Sequence, residues 1–231
     1  MGIKLLARRH VLGLVAGAAL TQKAFASTPV DLALVLAIDC SYSVDPSEYA
    51  LQMSGTAQAL MAPEVLQAVA GGLRKQIAIS AFLWSEPANH FVLVPWQLLR
   101  GPQDALAIGN MFLRAPRDVP RGTTATGSAL LFAQSLLDSA PRALRHVIDI
   151  STDGECNEGP KVEGVRDAVL AKGTVINGLA ITTDTMDLDE YLRASVAGGH
   201  QSFVLKANDF TAYGHTLRIK LFREIAGVDI I

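Results

Sequence analysis

The sequence predicts a single α/β domain: a doubly wound, mostly parallel central sheet with helices on both faces and one antiparallel edge strand. Three observations carry that prediction. The run 32–38 is unbroken by any polar residue, as a strand covered on both faces requires. Apolar runs of strand length then alternate with segments of helical spacing as far as Ile225, the pattern of strand–helix–strand units. Half of the 231 residues are apolar, which is ample for one buried core and short for two domains.

The elements follow in order. The first strand runs into Asp39. Asp45-Pro46-Ser47-Glu48 reads as an N-cap, a first-turn proline and the glutamate of a capping box. Tyr49, Met53, Leu60 and Met61 give the next helix its apolar stripe, and Pro63 breaks it. A short helix over 64–70 ends at Gly71-Gly72. Segments 76–84 and 90–98 read as strands, and the short connection 85–89 makes them an antiparallel hairpin. Pro95 puts the second of them at the sheet edge. Trp84 and Trp96, near strand ends, read as packing anchors. Helices are expected over 102–113 and after Thr123-Thr124-Ala125-Thr126-Gly127, the second with Ala129, Leu130, Ala133, Leu136 and Leu137 on one face. A strand over 146–152 is followed by the helical stripe Val162, Val165 and Val169, closed by Gly173. A strand over 175–181, a helix over 188–196, a strand over 202–206 and a helix over 209–225 complete the chain. Phe210, Leu217, Leu221 and Ile225 face inward from the last helix. The domain is expected over residues 29–227.

The first 26 residues are expected to lie outside the fold as a signal peptide. Arg8-Arg9 precedes the apolar run 11–20, and Ala24-Phe25-Ala26 fits a cleavage signal. The apolar run is too short to span a bilayer. The string Arg8-Arg9-His10-Val11-Leu12 resembles a twin-arginine export signal. The expected location is therefore a bacterial periplasm or the outside, with no stable membrane anchor. Removing Lys4, Arg8, Arg9 and Lys23 from 20 basic residues against 22 acidic ones leaves a net charge of −6. An acidic chain is a poor binder of nucleic-acid backbones and of anionic lipid, and few aromatics speak against base stacking.

The chemistry concentrates where the first strand ends. Asp39, Ser41 and Ser43 place one carboxylate and two hydroxyls at alternate positions. An all-oxygen set of that kind suits a hard cation such as Mg²⁺ or Ca²⁺; taken alone, it also reads as a strand end with a polar turn. Two further oxygen-rich loops are Thr123-Thr124 and Thr152-Asp153-Gly154. In residues and order, the three loops resemble the metal-ion-dependent adhesion site of von Willebrand factor type A domains. VDLALVLAIDCSYSVD, VPWQLL, RGTTATGSAL and VIDISTDG together resemble an uncharacterised family of exported bacterial proteins with that fold.

The resemblance implies a ligand set. Ser41, Ser43 and Thr124 would coordinate through hydroxyls, Thr124 being preferred to Thr123 on spacing. Asp39 and Asp153 would act through water or by accepting from those hydroxyls. Mg²⁺, Mn²⁺ or Ca²⁺ is the implied ion, and an aspartate or glutamate of a protein partner would complete its shell. Arg121 and Glu155 are candidate partner-binding residues at the rim, each of which also reads as a solvated surface charge. Two rivals stand beside this. One is a Mg²⁺-dependent phosphohydrolase with Asp39 as nucleophile, although positions 41 and 43 are serines and no lysine stands in the threonine loop. The other is a metal-free structural module in an envelope complex. A serine hydrolase lacks its G-x-S-x-G turn. The type A resemblance makes the strands before Cys40 and Cys156 neighbours, so these two cysteines are expected to come within disulfide reach. Unpaired thiols are the alternative, and zinc ligation lacks further soft ligands nearby.

Overall fold

The computed structural model describes residues 29–117 and 120–227; the expected signal peptide lies outside them. The elements are β1 (Val30–Asp39), α1 (Pro46–Leu60), α2 (Pro63–Gly71), β2 (Ile77–Trp84), β3 (His90–Leu99), α3 (Pro102–Leu113), α4 (Thr126–Leu137), β4 (Ala143–Thr152), α5 (Val162–Leu170), β5 (Val175–Ile181), α6 (Leu188–Tyr191), β6 (Val204–Ala207) and α7 (Phe210–Ala226). They form one six-stranded sheet in the order β3-β2-β1-β4-β5-β6. Only β3 runs antiparallel. Its bulged stretch contains Pro95, opposite Ser80 of β2, whose hydroxyl donates to the Val94 carbonyl. A proline that cannot donate to a ladder is tolerated in such a place.

β1 lies at the centre, and all ten of its residues are buried. Its side chains alternate between two cores, because successive residues of a strand face opposite ways. Leu32, Leu34, Leu36 and Ile38 pack with Leu60, Phe112, Tyr213 and Leu221, beneath α1, α3 and α7. Ala33, Val35 and Ala37 share a core with Leu130, Val165 and Leu188, beneath α4, α5 and α6. Small residues on the second side let its helices sit close to the sheet. On the first side α1 and α7 cross at Gly55 and Gly214. A Cβ built at Gly55 would lie 2.8 Å from the Gly214 Cα.

Two local features depart from the sequence reading. The helix expected over 188–196 is α-helical for one turn and then widens into a π-turn at Leu192–Val196. It closes with Ala197 N donating to the Leu192 carbonyl at 2.8 Å, and the widened turn keeps both Leu192 and Val196 fully buried. The other feature is Lys220, which lies on the buried side of α7 with no solvent exposure. Its ammonium contacts Asp149 Oδ1 of β4 at 2.8 Å and Glu224 Oε1 at 2.7 Å. Asn177 of β5 donates to the same glutamate oxygen at 2.9 Å.

The chain leaves β1 for β2 on one side and returns to β4 on the other. The carboxyl ends of β1 and β4 therefore flank the point where strand order reverses. That crevice is where open α/β sheets bind ligands, and Asp39 and Asp153 stand at its two walls.

Candidate metal centre

Asp39 is the last residue of β1 and is 1% exposed. Its Oδ1 accepts from the Ser41 backbone N–H at 2.7 Å, and its Oδ2 accepts from the Thr152 hydroxyl at 2.5 Å. Gln52 of α1 donates to the Asp39 carbonyl at 3.2 Å. The carboxylate is thus fixed from its own loop and from the neighbouring strand. The turn back toward Ser41 lets the chain leave the sheet, and the Asp45 capping box then starts α1. In the loop between, the Ser41 and Ser43 hydroxyl oxygens lie 3.3 Å apart.

The second wall meets the first directly. The Ser43 hydroxyl donates to Asp153 Oδ1 at 2.7 Å, across 110 positions of sequence. Gly154 N donates to the Thr152 hydroxyl at 3.2 Å, so the turn after β4 closes on the residue that holds Asp39. The third loop supplies Thr124, which is 5% exposed. Its backbone N–H donates to Asn157 Oδ1 at 2.9 Å, and its carbonyl accepts from Asn157 N at 3.0 Å. Its hydroxyl lies over the Thr152-Asp153-Gly154 turn, 3.6 Å from where a Cβ on Gly154 would stand. The Thr123 hydroxyl turns away to Glu158. Asp39, Ser41, Ser43, Thr124 and Asp153 are thereby gathered around one crevice.

The electrostatics of this group are strained in the protein alone. Burial, and then the charge of Asp153, push Asp39 up to about 7 against the pull of its bonds from Thr152 and Ser41. Burial also raises Asp153, while the Ser43 bond holds it down. Among the described residues, no lysine or arginine pairs with either carboxylate. Two buried carboxylates beside three hydroxyls fit a hard divalent cation, which offsets the charge and accepts neutral oxygen ligands. The set holds no thiolate or imidazole ligand of the kind structural zinc sites use. Among the described residues, no three His, Cys, Asp or Glu side chains cluster as metal ligands.

Around the rim, Arg121 Nη2 donates to the Tyr42 carbonyl at 2.5 Å, and its guanidinium lies over the Tyr42 ring at 4.7 Å from the centroid. Tyr42 is 72% exposed at the loop tip. Glu155 is exposed on the loop after β4. The expected Cys40–Cys156 disulfide is corrected: both thiols are free. Cys40 N donates to the Trp84 carbonyl, which carries the strand register one residue past β1. The Cys40 side chain therefore joins the core under α1, α3 and α7, where burial pushes its thiol up to about 11. Cys156 packs against the opposite core and donates its thiol to the Glu158 carbonyl at 3.2 Å. The sheet stands between the two cysteines.

Sequence reasoning missed Arg117. Its guanidinium donates to the carbonyls of Val44, Cys40 and Ser41 at 2.7, 3.0 and 3.2 Å. The only signal was a cluster of arginines in the segment before the threonine loop, and spacing could not select this one. Thr152 was read as part of a turn motif. Its role as a donor to Asp39 follows from the pairing of β1 with β4.

Solved structures share the fold. Proximal thread matrix protein 1 from the mussel byssus superposes with a TM-score of 0.63 at 14% identity, covering 87% of this chain and 48% of that one. A von Willebrand factor type A structure from Catenulispora acidiphila gives 0.61 at 20% identity, covering 85% and 43%. The pilus adhesin SpaC from Lactobacillus rhamnosus GG gives 0.59 at 12% identity, covering 85% and 31%. The chain thus spans half or less of these proteins' own length. Another structure of the mussel protein is described as having a zinc-occupied MIDAS motif. No curated protein matches the chain. Among the described residues, no helix is long and apolar enough to cross a membrane. The architecture is that of a von Willebrand factor type A domain, and the match of residues 29–229 to the family described as "Protein of unknown function (DUF1194)" shows that the chain belongs to that family.

Proposed function

We propose that the domain is a metal-dependent protein-binding module of the adhesion type. Ser41, Ser43 and Thr124 would hold one Mg²⁺, or Mn²⁺ or Ca²⁺, through their hydroxyls, with Asp39 and Asp153 accepting from those hydroxyls or from bound water. The ion would supply a positive centre with an open position for a partner's aspartate or glutamate. The observation that carries this reading is the convergence of three distant loops, with the Ser43–Asp153 bond joining two of them and the Thr124 hydroxyl of the third lying over the Thr152-Asp153-Gly154 turn. One structure of the mussel protein has zinc in that motif; the hydroxyl-rich set here favours a harder cation. Arg121 sits on the rim to meet an acidic partner, and Glu155 charges the rim against a second one. The location that suits this activity is a bacterial periplasm or the outside, reached through the signal over residues 1–26.

A phosphohydrolase with Asp39 as nucleophile is the weaker reading. Both oxygens of Asp39 are committed to Ser41 and Thr152, and the side chain is 1% exposed, whereas a nucleophile must reach its substrate. Calorimetry on the exported protein tests the module. One Mg²⁺ or Mn²⁺ site is expected, and Asp39→Ala should abolish it with the circular dichroism spectrum unchanged. Unchanged binding in that variant would overturn the assignment, and Mg²⁺-dependent phosphatase activity would favour the rival.

A further inference from the structure

We propose that Arg117 is a positioning residue for the metal centre, holding the loop of Ser41 and Ser43 in its ligand-presenting shape; the inference rests on the metal reading above. The loop between β1 and α1 has little structure of its own. Within it, Val44 N donates to the Ser41 carbonyl at 3.2 Å, and Tyr42 N reaches outside to the Gly122 carbonyl at 2.7 Å. Its carbonyls need donors from elsewhere, and Arg117 supplies them on both sides of the serine pair. Nη1 reaches Val44, and Nη2 is shared between Cys40 and Ser41. A planar guanidinium presents several donors in a fixed fork. Bridging carbonyls at both ends of a five-residue turn sets the turn's width, and with it the 3.3 Å separation of the Ser41 and Ser43 hydroxyls.

The guanidinium is itself held. It lies over the Tyr49 ring of α1 at 5.7 Å, and the Tyr49 hydroxyl donates to the Pro116 carbonyl at 3.1 Å. The segment bearing Arg117 is thus tied to the helix that follows the loop it braces. The same connection between α3 and α4 goes on to deliver Thr124. One connection therefore supplies a ligand and fixes the frame of two others, so the three hydroxyls are placed as a unit. Partners of this kind, one step removed from the metal, typically change its affinity by about 10–100-fold when lost. Lysine is not an equivalent. Its compact ammonium donates from a single point and cannot bridge the two sides of the turn.

The test uses the intact exported chain and Mn²⁺ as the probe, read by electron paramagnetic resonance, with hydrogen exchange of the amides over 40–44 measured on the same samples. Arg117→Ala is expected to weaken Mn²⁺ binding by about 10–100-fold and to speed exchange over 40–44, while the metal-free melting temperature shows that the sheet persists. Arg117→Lys keeps the charge, serves as the milder variant if the alanine protein does not fold, and should recover less than half of the loss on a logarithmic scale. Wild-type affinity in Arg117→Ala overturns the proposal, as does full rescue by lysine. A wild-type chain that takes no Mn²⁺ overturns the metal reading. The exchange data then stand alone, and unchanged protection over 40–44 in Arg117→Ala removes the brace as well.

Discussion

Thr152 decides whether Asp39 can exist as a buried carboxylate in its observed place. Its hydroxyl donates to Asp39 Oδ2 and accepts from Gly154 N, and it has no solvent exposure. Thr152→Val keeps the shape and removes the donor, leaving a buried carboxylate oxygen unpaired, so it should cost about 1–3 kcal/mol in chemical denaturation. Thr152→Ser retains the hydroxyl and should cost clearly less; equal losses would mean that the methyl group carries the effect. The cysteines give a second expectation at this scale. Alkylation of the native protein without reductant should label Cys156, which is half-buried, and spare Cys40, which is fully buried with its thiol raised by burial. Both should react in denaturant. Failure to label either cysteine in denaturant would restore the disulfide. The three loops that carry the candidate ligands were legible because, in residue types and order, they resemble a known metal-site pattern. Arg117 and Thr152 were not, because each acts through a contact made by folding. The side of the sheet that Cys156 faces was not legible either. Strand parity fixes the side for Cys40, but loop packing fixes it for Cys156.

The helices show how local rules and packing divide the work. Glycine inside a helix is ordinarily a cost relative to alanine. At Gly55 that rule reverses, since a methyl group would meet the backbone of Gly214 at 2.8 Å and push α1 from α7. Gly55→Ala should therefore destabilise by about 1–3 kcal/mol, the range for overpacking. Gly164 of α5 is exposed with nothing within 4 Å of its missing Cβ, and Gly164→Ala should stabilise by roughly 0.5–1 kcal/mol. Thermal melts of the two variants check the contrast, and a shift of the same sign in both would contradict it. Strands and helices alternate as the apolar spacing indicates, and the Asp45 capping box forms as its sequence predicts. The π-turn over 192–196 escaped notice, because periodicity does not distinguish a turn widened by one residue from an ordinary helical turn. Lys220 escaped because a Lys–Glu pair four apart on a helix reads as a solvent-facing pair. Only the placement of α7 against Asp149 and Asn177 shows it to be buried.

At the scale of the molecule, that buried group ties α7 to β4 and β5 and makes stability depend on pH. Burial, then the charge of Asp149, pushes Glu224 up to about 8 from an ordinary 4.5, against Lys220 and Asn177. Arg145 of β4 also faces it, donating to the Glu224 and Ile225 carbonyls. Between those two values the folded chain keeps a proton that the unfolded chain has released. The stability this group contributes is therefore complete below about 4.5 and is lost as pH rises through about 8. Denaturation of the wild type and of Glu224→Gln at pH 5, 6.5 and 8 should show the wild type losing ground to the variant as pH rises. A constant difference between them would refute the assignment. The sheet's two margins carry a consequence of another kind. One margin is β3, bulged at Pro95, and the other is β6, four residues long. Neither offers a long, flat row of free backbone groups for a second molecule to extend. Copies crowded together therefore find no ready template for lateral strand addition at either margin of the described sheet, which leaves its loop end as the face free to meet another molecule without extending the sheet.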